Sequence, residues 1–270
     1  MRITALVENT TSDPKLGAEH GLSLLVESER NIVLFDTWAS DLFARNAERL
    51  GVDLSRVTVA VLSHGHYDHG GGLETFFRLN SRAPLYVRRE AFRAYYSKHD
   101  DGLFHFIGVN EMLLHENRLL FTSAFTPMGG GLSLFSRIEQ MDPIPQGNRN
   151  LFRKDGNVFV EDTFRHEQYL AVEEKGKAVM ISGCSHRGII NIVRSFYRQW
   201  GRYPDAVVGG FHLRGSAWDP EELTRLADSL LKTGSRYYTC HCTGMENYDF
   251  LKSLMGDRIQ YLHGGDVLDI

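Results

Sequence analysis

The stretch SHGHYDHGGG, residues 63–72, places four metal-type side chains within six positions: His64, His66, Asp68 and His69. It closes VTVAVLS (57–63), a nearly continuous apolar run of the kind that forms a strand buried on both faces. His64 and His66 are two residues apart, so in extended chain their imidazoles point to one side and can grip one ion. Asp68 and His69 come where the chain turns and can face a second ion beside the first. Gly70, Gly71 and Gly72 let the backbone pass close to such a site without steric cost. Nitrogen and oxygen donors suit zinc, with manganese or iron as alternatives. The competing reading is a polar loop with scattered histidines, and so dense a ligand cluster at a strand end argues against it.

Composition narrows what surrounds this stretch. The chain has 270 residues, 42% hydrophobic and 24% charged, which suits a soluble globular protein with a sizeable core. One domain over residues 1–270 is expected, because layered α/β folds reach this size undivided. Lys plus Arg is 30 against 34 Asp plus Glu, a net charge of −4 that speaks against a nucleic-acid backbone binder. No apolar run approaches the ~20 residues that span a bilayer. The start, MRITALVENTTSDP, reads as a first strand rather than a signal peptide. Three cysteines, two of them at 240 and 242, give no disulfide framework. The expectation is a cytoplasmic protein with reduced thiols that acts on a small molecule, with neither nucleic acid nor membrane as partner. Its oligomeric state is not legible.

Hydrophobic patterning predicts strands at 2–9, 22–28, 31–36 and 57–63. A helix capped by Thr37 or Ser40 is expected to run to about Leu50. A short helix at 73–80, the strand PLYV and a helix at 89–98 follow. Residues 99–166 read as strands interrupted by loops, a variable region suited to a substrate pocket. Its mobile-looking loops, TPMGGGLS (126–133) and DPIPQGN (142–148), are of a kind that often carries function. MGGG lacks the lysine and following helix of a phosphate loop. Beyond lie strands at 168–173 and 177–182, helix 187–200, strand 205–210, helix 219–232, strand 236–240, helix 245–255 and strand 258–263. Two βα-rich halves around a β-rich middle predict an α/β sandwich of sheets with helices outside.

With these features the chain resembles the metallo-β-lactamase superfamily, whose signature is His-x-His-x-Asp-His, over nearly its whole length. The resemblance implies a four-layer αβ/βα sandwich of two mixed sheets with outer helices. It also implies one or two divalent ions, zinc first, at the edge between the sheets. Asp36 in LFDT falls where the superfamily has a supporting Asp. A narrower resemblance rests on AEHGLSLLVE (18–27), ISGCSHRGIIN (181–191), GGFHL (209–213) and CHCTG (240–244). It is to the branch named after dihydropterin ribofuranosylaminobenzene-phosphate synthase. Many similar chains are known only as metallo-hydrolases, so that name constrains the substrate poorly.

The resemblance further implies a later His, a bridging acid at a strand end and a final His. His241, directly after RYYTC, stands in the place of the final one. Gly183-Cys184 stands where the superfamily has a Gly-Asp pair. Cys184 is therefore either a thiolate ligand or a small buried residue. If the chain stays extended, Cys184 and His186 point to one side, which makes His186 the later ligand. His166 competes for that role, with Glu167 beside it to orient a ligand. Cys240 and Cys242 face away from His241 in extended chain and read as packing residues; a disulfide between them would be strained. His212 is expected to bind substrate or donate a proton, or else to pack a loop. Glu19 and His20 are candidates for substrate binding. Phe104, Phe106 and Phe135 offer flat rings for stacking, although a core role is the plainer reading of each. His99, His105, His115 and His263 read as surface or structural.

The leading expectation is hydrolysis of an ester, phosphoester or related small-molecule bond by a metal-activated water or hydroxide. Asp68 would orient that water, and His212 or a metal-bound water would protonate the leaving group. A pterin-type transferase acting on a diphosphate is one alternative, and a binding or regulatory module that keeps its metal is the other.

Overall fold

Strands that are apolar on both faces need helices over them, and the computed structural model, which describes residues 1–215 and 218–270, builds two such arrangements. The first unit comprises residues 1–123, 149–168 and 263–270; the second comprises 124–148 and 169–262.

In the first unit a seven-stranded mixed sheet runs in the order Val267–Asp269, Arg2–Val7, Ser23–Glu27, Ile32–Phe35, Val59–Val61, Leu85–Val87, Leu119–Phe121. The last four strands are parallel. Phe35 pairs with Val61, so Asp36 and Ser63 leave neighbouring strand ends side by side. Helices Leu42–Arg49 and Leu73–Leu79 bury Leu42, Phe43, Ala47, Leu73 and Phe76 against Leu6, Leu34, Ala60 and Leu85 of the sheet. A smaller antiparallel sheet joins Val158–Glu161, Leu151–Asp155, Tyr95–Lys98 and Phe104–Phe106.

The second unit carries another seven-stranded mixed sheet. Its order is Ile259–Tyr261, Arg236–Thr239, Ala206–Gly209, Lys177–Ile181, Tyr169–Glu174, Leu132–Phe135, Phe125–Gly129. The first four strands are parallel and end at one edge. Helices Ile189–Trp200, Pro220–Leu231 and Met245–Met255 cover it through Val193, Phe196, Ala227, Leu230, Leu251 and Met255. Asp219 caps the second of these by accepting from Glu221 N–H, with Pro220 in the first turn where its missing N–H costs nothing.

Several local expectations are corrected. The helix expected at 89–98 is a short 3₁₀ turn, Arg89–Phe92, followed by strand Tyr95–Lys98. Tyr96 faces Phe106 and Phe152 across the small sheet, and aromatic residues gain more from such pairing than from a helix. Neither Thr37 nor Ser40 caps the first helix; Asp41 occupies that position, and Thr37 Oγ1 donates instead to His69 O at 3.2 Å. TPMGGGLS is a hairpin, with Gly129, Gly130 and Gly131 at φ 81°, 60° and 83° supplying a turn that L-residues resist. The C-terminal strand Val267–Asp269 was too short to stand out in the patterning. No described helix is long and apolar enough to cross a membrane.

The polar segment 9–21 is tied down by Asn46 on the first helix. Its Nδ2 donates to Leu6 O and Gly17 O, both at 2.8 Å, and its Oδ1 accepts from Gly17 N–H at 2.9 Å. Asn46→Leu strands these buried partners and is expected to lower unfolding free energy by about 2 kcal/mol. Urea denaturation checks this; an unchanged midpoint contradicts it.

Candidate metal centre

In the first unit the site grows from the ends of two parallel strands. Asp36 is fully buried and sits at φ 61°, a left-handed conformation that turns its carboxylate back across the strand ends. Its Oδ1 accepts from Ser63 N–H at 2.7 Å. Its Oδ2 accepts from Ser63 Oγ at 2.7 Å and from His69 Nδ1 at 2.6 Å. Ser63 Oγ also lies 2.8 Å from His64 Nδ1. A hydroxyl has one hydrogen, and this one goes to Asp36, so Ser63 must accept from His64 Nδ1–H. One carboxylate thereby sets the tautomer of two imidazoles, leaving Nε2 of His64 and of His69 as the nitrogen with a lone pair.

Gly65 separates the first two histidines because a Cβ there would lie 2.1 Å from Ala91 O. His66 is extended at φ −96°, ψ 146°, and Tyr67–Gly70 forms one helical turn that buries Asp68 and His69. The His64 ring centroid lies 4.6 Å from that of His66 and 4.2 Å from that of His69. Burial pushes His64 well below its ordinary value, and the positive potential of His69, His66 and His166 adds to this. Burial and then His166 hold His66 down at about 3, against the opposing pull of Asp68 and Asp162. Both rings are therefore neutral donors, the form a metal requires. Asp68 Oδ2 lies 3.2 Å from His20 Nε2 and 3.8 Å from His69 Nε2. His20 reaches Asp68 from an exposed position, and Glu19 beside it is exposed as well.

His166, the competing candidate for the later ligand, is held by protein partners at both ring nitrogens. Gly65 N–H donates to His166 Nδ1 at 2.9 Å, and His166 Nε2 donates to Asp162 Oδ2 at 2.8 Å. Both ring nitrogens are spent on protein partners. Glu167 is buried beside it.

In the second unit three successive parallel strands end in GCSH, GFH and CHC. Ser185, His212 and His241 are left-handed there, at φ 58°, 51° and 51°. Each such turn costs on the order of 1–3 kcal/mol in a non-glycine residue. The donor atoms of Cys184, His186 and His212 lie within 4.8 Å of one another, as do those of Cys184, His241 and Cys242. Cys184 and His186 therefore converge as expected, but through a left-handed turn rather than extended chain. The reading of Cys242 as facing away from His241 is corrected for the same reason. Cys240 is fully buried, consistent with packing.

Asn148, which the sequence reading missed, holds His186 at two points. Asn148 Nδ2 donates to His186 O at 2.8 Å, and its Oδ1 lies 2.9 Å from His186 Nδ1 and accepts from it. The only available signal was its place in the DPIPQGN loop. His212 Nδ1 is buried with no hydrogen-bond partner among the described residues, and its ring centroid lies 4.1 Å from that of His186. His212 N–H donates to Cys242 Sγ at 3.2 Å. Burial alone would push the Cys242 thiol up. Hydrogen bonds from Cys184 and His212, and the positive potential of His241 and His212, outweigh it and hold the thiol well below its ordinary value.

The stacking candidates are spoken for. Phe135 is in the core of the second unit, and Phe104 stacks on Phe159 at 3.9 Å. Phe106 packs edge-on against Tyr96. His99 and His105 pair on the small sheet, 4.1 Å between centroids, and His263 Nδ1 lies 2.7 Å from Thr10 Oγ1.

Residues 16–135 match the model of the metallo-beta-lactamase superfamily. The chain is 32% identical to the solved structure of Tm1679, described as a metal-dependent hydrolase of the beta-lactamase superfamily, at TM-score 0.86 over 100% of this chain and 99% of that one. It is 26% identical over 268 residues to 7,8-dihydropterin-6-methyl-4-(beta-D-ribofuranosyl)-aminobenzene-5'-phosphate synthase of Methanocaldococcus jannaschii, covering 93% of this chain and 90% of that protein. Zn(2+)-bound PqqB from Methylobacterium extorquens, 14% identical over 100% of each chain at TM-score 0.56, shares the fold.

Two outcomes follow from the geometry. Asp36→Ala frees the two imidazoles of His64 and His69, Asn148→Leu frees that of His186, and each is expected to weaken metal binding by roughly 10–100-fold in competition with a chelator. The depressed His66 value makes the unfolded chain bind more protons than the folded one between pH 6.5 and about 3. Stability of the metal-free protein is therefore full above pH 6.5 and falls as the pH drops through that window. His66→Gln should lose less over the same fall, as read from urea midpoints.

Proposed function

Because the chain belongs to the metallo-β-lactamase superfamily, we propose that it is a metal-dependent hydrolase of a small molecule, acting on an ester, phosphoester or related bond. The observation that carries this reading is the Asp36 carboxylate, which fixes His64 and His69 in the tautomer that a metal needs. His64, His66, Asp68 and His69 are the proposed ligands. His186 and His241 are proposed as ligands too, each on the strength of its own neighbourhood. Zinc fits this donor set best, in one or two positions. When bound, a divalent ion supplies Lewis acidity and lowers the pKa of water.

The remaining steps belong to side chains. Asp68, between His20 and His69, accepts and orients the proton of the attacking water. In the second unit His212 presents a buried Nδ1 that can donate to or accept from a polar atom of a small molecule. Three imidazoles and one carboxylate would leave a bound divalent ion with net positive charge, which suits a small anionic or polar substrate.

A second reading, prompted by the similarity to the synthase from Methanocaldococcus jannaschii, is a pterin-type transferase, for which we propose a diphosphate substrate and attack by an aromatic carbon. Phe135 lies in the core and Phe104 stacks on Phe159, which leaves the exposed Phe106 as the remaining candidate for stacking on a flat ring.

Chelation should abolish turnover, and His66→Ala should lower kcat/KM by roughly a thousandfold, a loss of a few kcal/mol of transition-state stabilisation. Full activity in metal-free protein overturns the hydrolase reading. Product formation from a pterin diphosphate and an aromatic acceptor, without hydrolysis of simple esters, favours the transferase.

A further inference from the structure

We propose that Cys242 joins Cys184 and His241 as a second sulfur ligand, forming a two-thiolate metal position in the second unit. The donor set stands on its own geometry; its use in turnover rests on the hydrolase reading above.

Three features build the position. The first is convergence. The three donor atoms lie within 4.8 Å of one another. Tetrahedral zinc with sulfur at about 2.3 Å sets its ligands about 3.8 Å apart. Closing the set round one ion therefore asks for about 1 Å of movement at most.

The second is that the backbone is bent to produce this convergence. In extended chain Cys242 points away from His241. The left-handed turn at His241, φ 51°, brings it back, and the turn at Ser185, φ 58°, directs the Cys184 segment. Gly210 leaves the space that the sulfur fills, since a Cβ there would lie 2.4 Å from Cys242 Sγ. No side chain larger than hydrogen fits at 210 without displacing the thiol.

The third is the environment. Cys184, Cys242 and His241 are 3%, 4% and 1% exposed, so a bound ion would be shielded from water. The His212 N–H is aimed at Cys242 Sγ at 3.2 Å, a contact that stabilises negative charge on sulfur. His186 and His212, whose donor atoms also lie within 4.8 Å of the Cys184 sulfur, flank the position with nitrogen. Sulfur and imidazole together select zinc or another thiophilic ion over magnesium, calcium or manganese. Each thiol releases its proton to solvent as it binds.

The test uses the full-length protein loaded with zinc or cobalt(II). X-ray absorption at the zinc edge, summed over the zinc bound per chain, should show two sulfur scatterers at about 2.3 Å. Cobalt(II) should give a thiolate charge-transfer band in the near ultraviolet. Cys242→Ser and Cys184→Ser should each leave one sulfur and about half the band per ion. Cys240→Ser should leave both unchanged. A wild-type ion with fewer than two sulfurs, or a Cys242→Ser protein with the wild-type sulfur count, overturns the proposal. Should Cys242→Ser fail to fold, the wild-type count decides. Metal-dependent turnover with no sulfur on the ion overturns this inference and leaves the hydrolase reading standing. A two-sulfur ion in a chain without metal-dependent turnover does the reverse.

Discussion

In the first unit the orientation of His64 and His69 depends on a single buried carboxylate. Asp36 is fully removed from water, where an uncompensated negative charge would be very costly. Three donors compensate it: Ser63 N–H, Ser63 Oγ–H and His69 Nδ1–H. The same three bonds give the HxHxDH run its chemistry. They hold His69 directly, hold His64 through Ser63, and so decide which nitrogen of each ring keeps its lone pair. The burial that makes the carboxylate expensive also keeps His64 and His66 neutral, so the cost and the function have a common origin.

The second unit reaches a comparable convergence by other means. Its parallel strands all end at one edge, where side chains of successive strands can meet. Regular extended chain would send alternate residues apart, and left-handed turns at Ser185, His212 and His241 prevent that. Strain of this kind persists only where the surroundings over-determine it. Here the Asn148 side chain, the Gly210 gap and the His212 N–H do so.

The sequence was most informative where chemistry is dense and local. Four ligand-type residues in six positions, on an apolar strand, announced the superfamily before any geometry was known. The strands and helices of residues 168–263 were legible because their hydrophobic periods are regular. The segment 89–98 was misread because its aromatic content suits both a short helix and a strand, and only pairing with Phe106 and Phe152 decides between them. The Asp36 network was half visible: the residue could be named, but its hydrogen bonds span 33 positions to His69. Asn148 was invisible for the same reason, since its partner lies 38 positions away.

Cys242 shows a different limit. The alternation rule that placed it away from His241 is sound for extended chain and fails at one residue with positive φ. Histidine enters that conformation more readily than β-branched residues, so CHC tolerates the turn at its centre. The same motif that looks like two packing thiols around a histidine becomes, after one turn, an imidazole and a thiol on one side. Substituting sulfur for the superfamily's acid at Cys184 also changes what a neighbour can contribute. A second thiol beside a carboxylate is a mismatch of hard and soft donors, whereas beside Cys184 it reinforces one preference. On this view the departure at 184 and the presence of sulfur at 242 are a single chemical feature distributed over two strand ends.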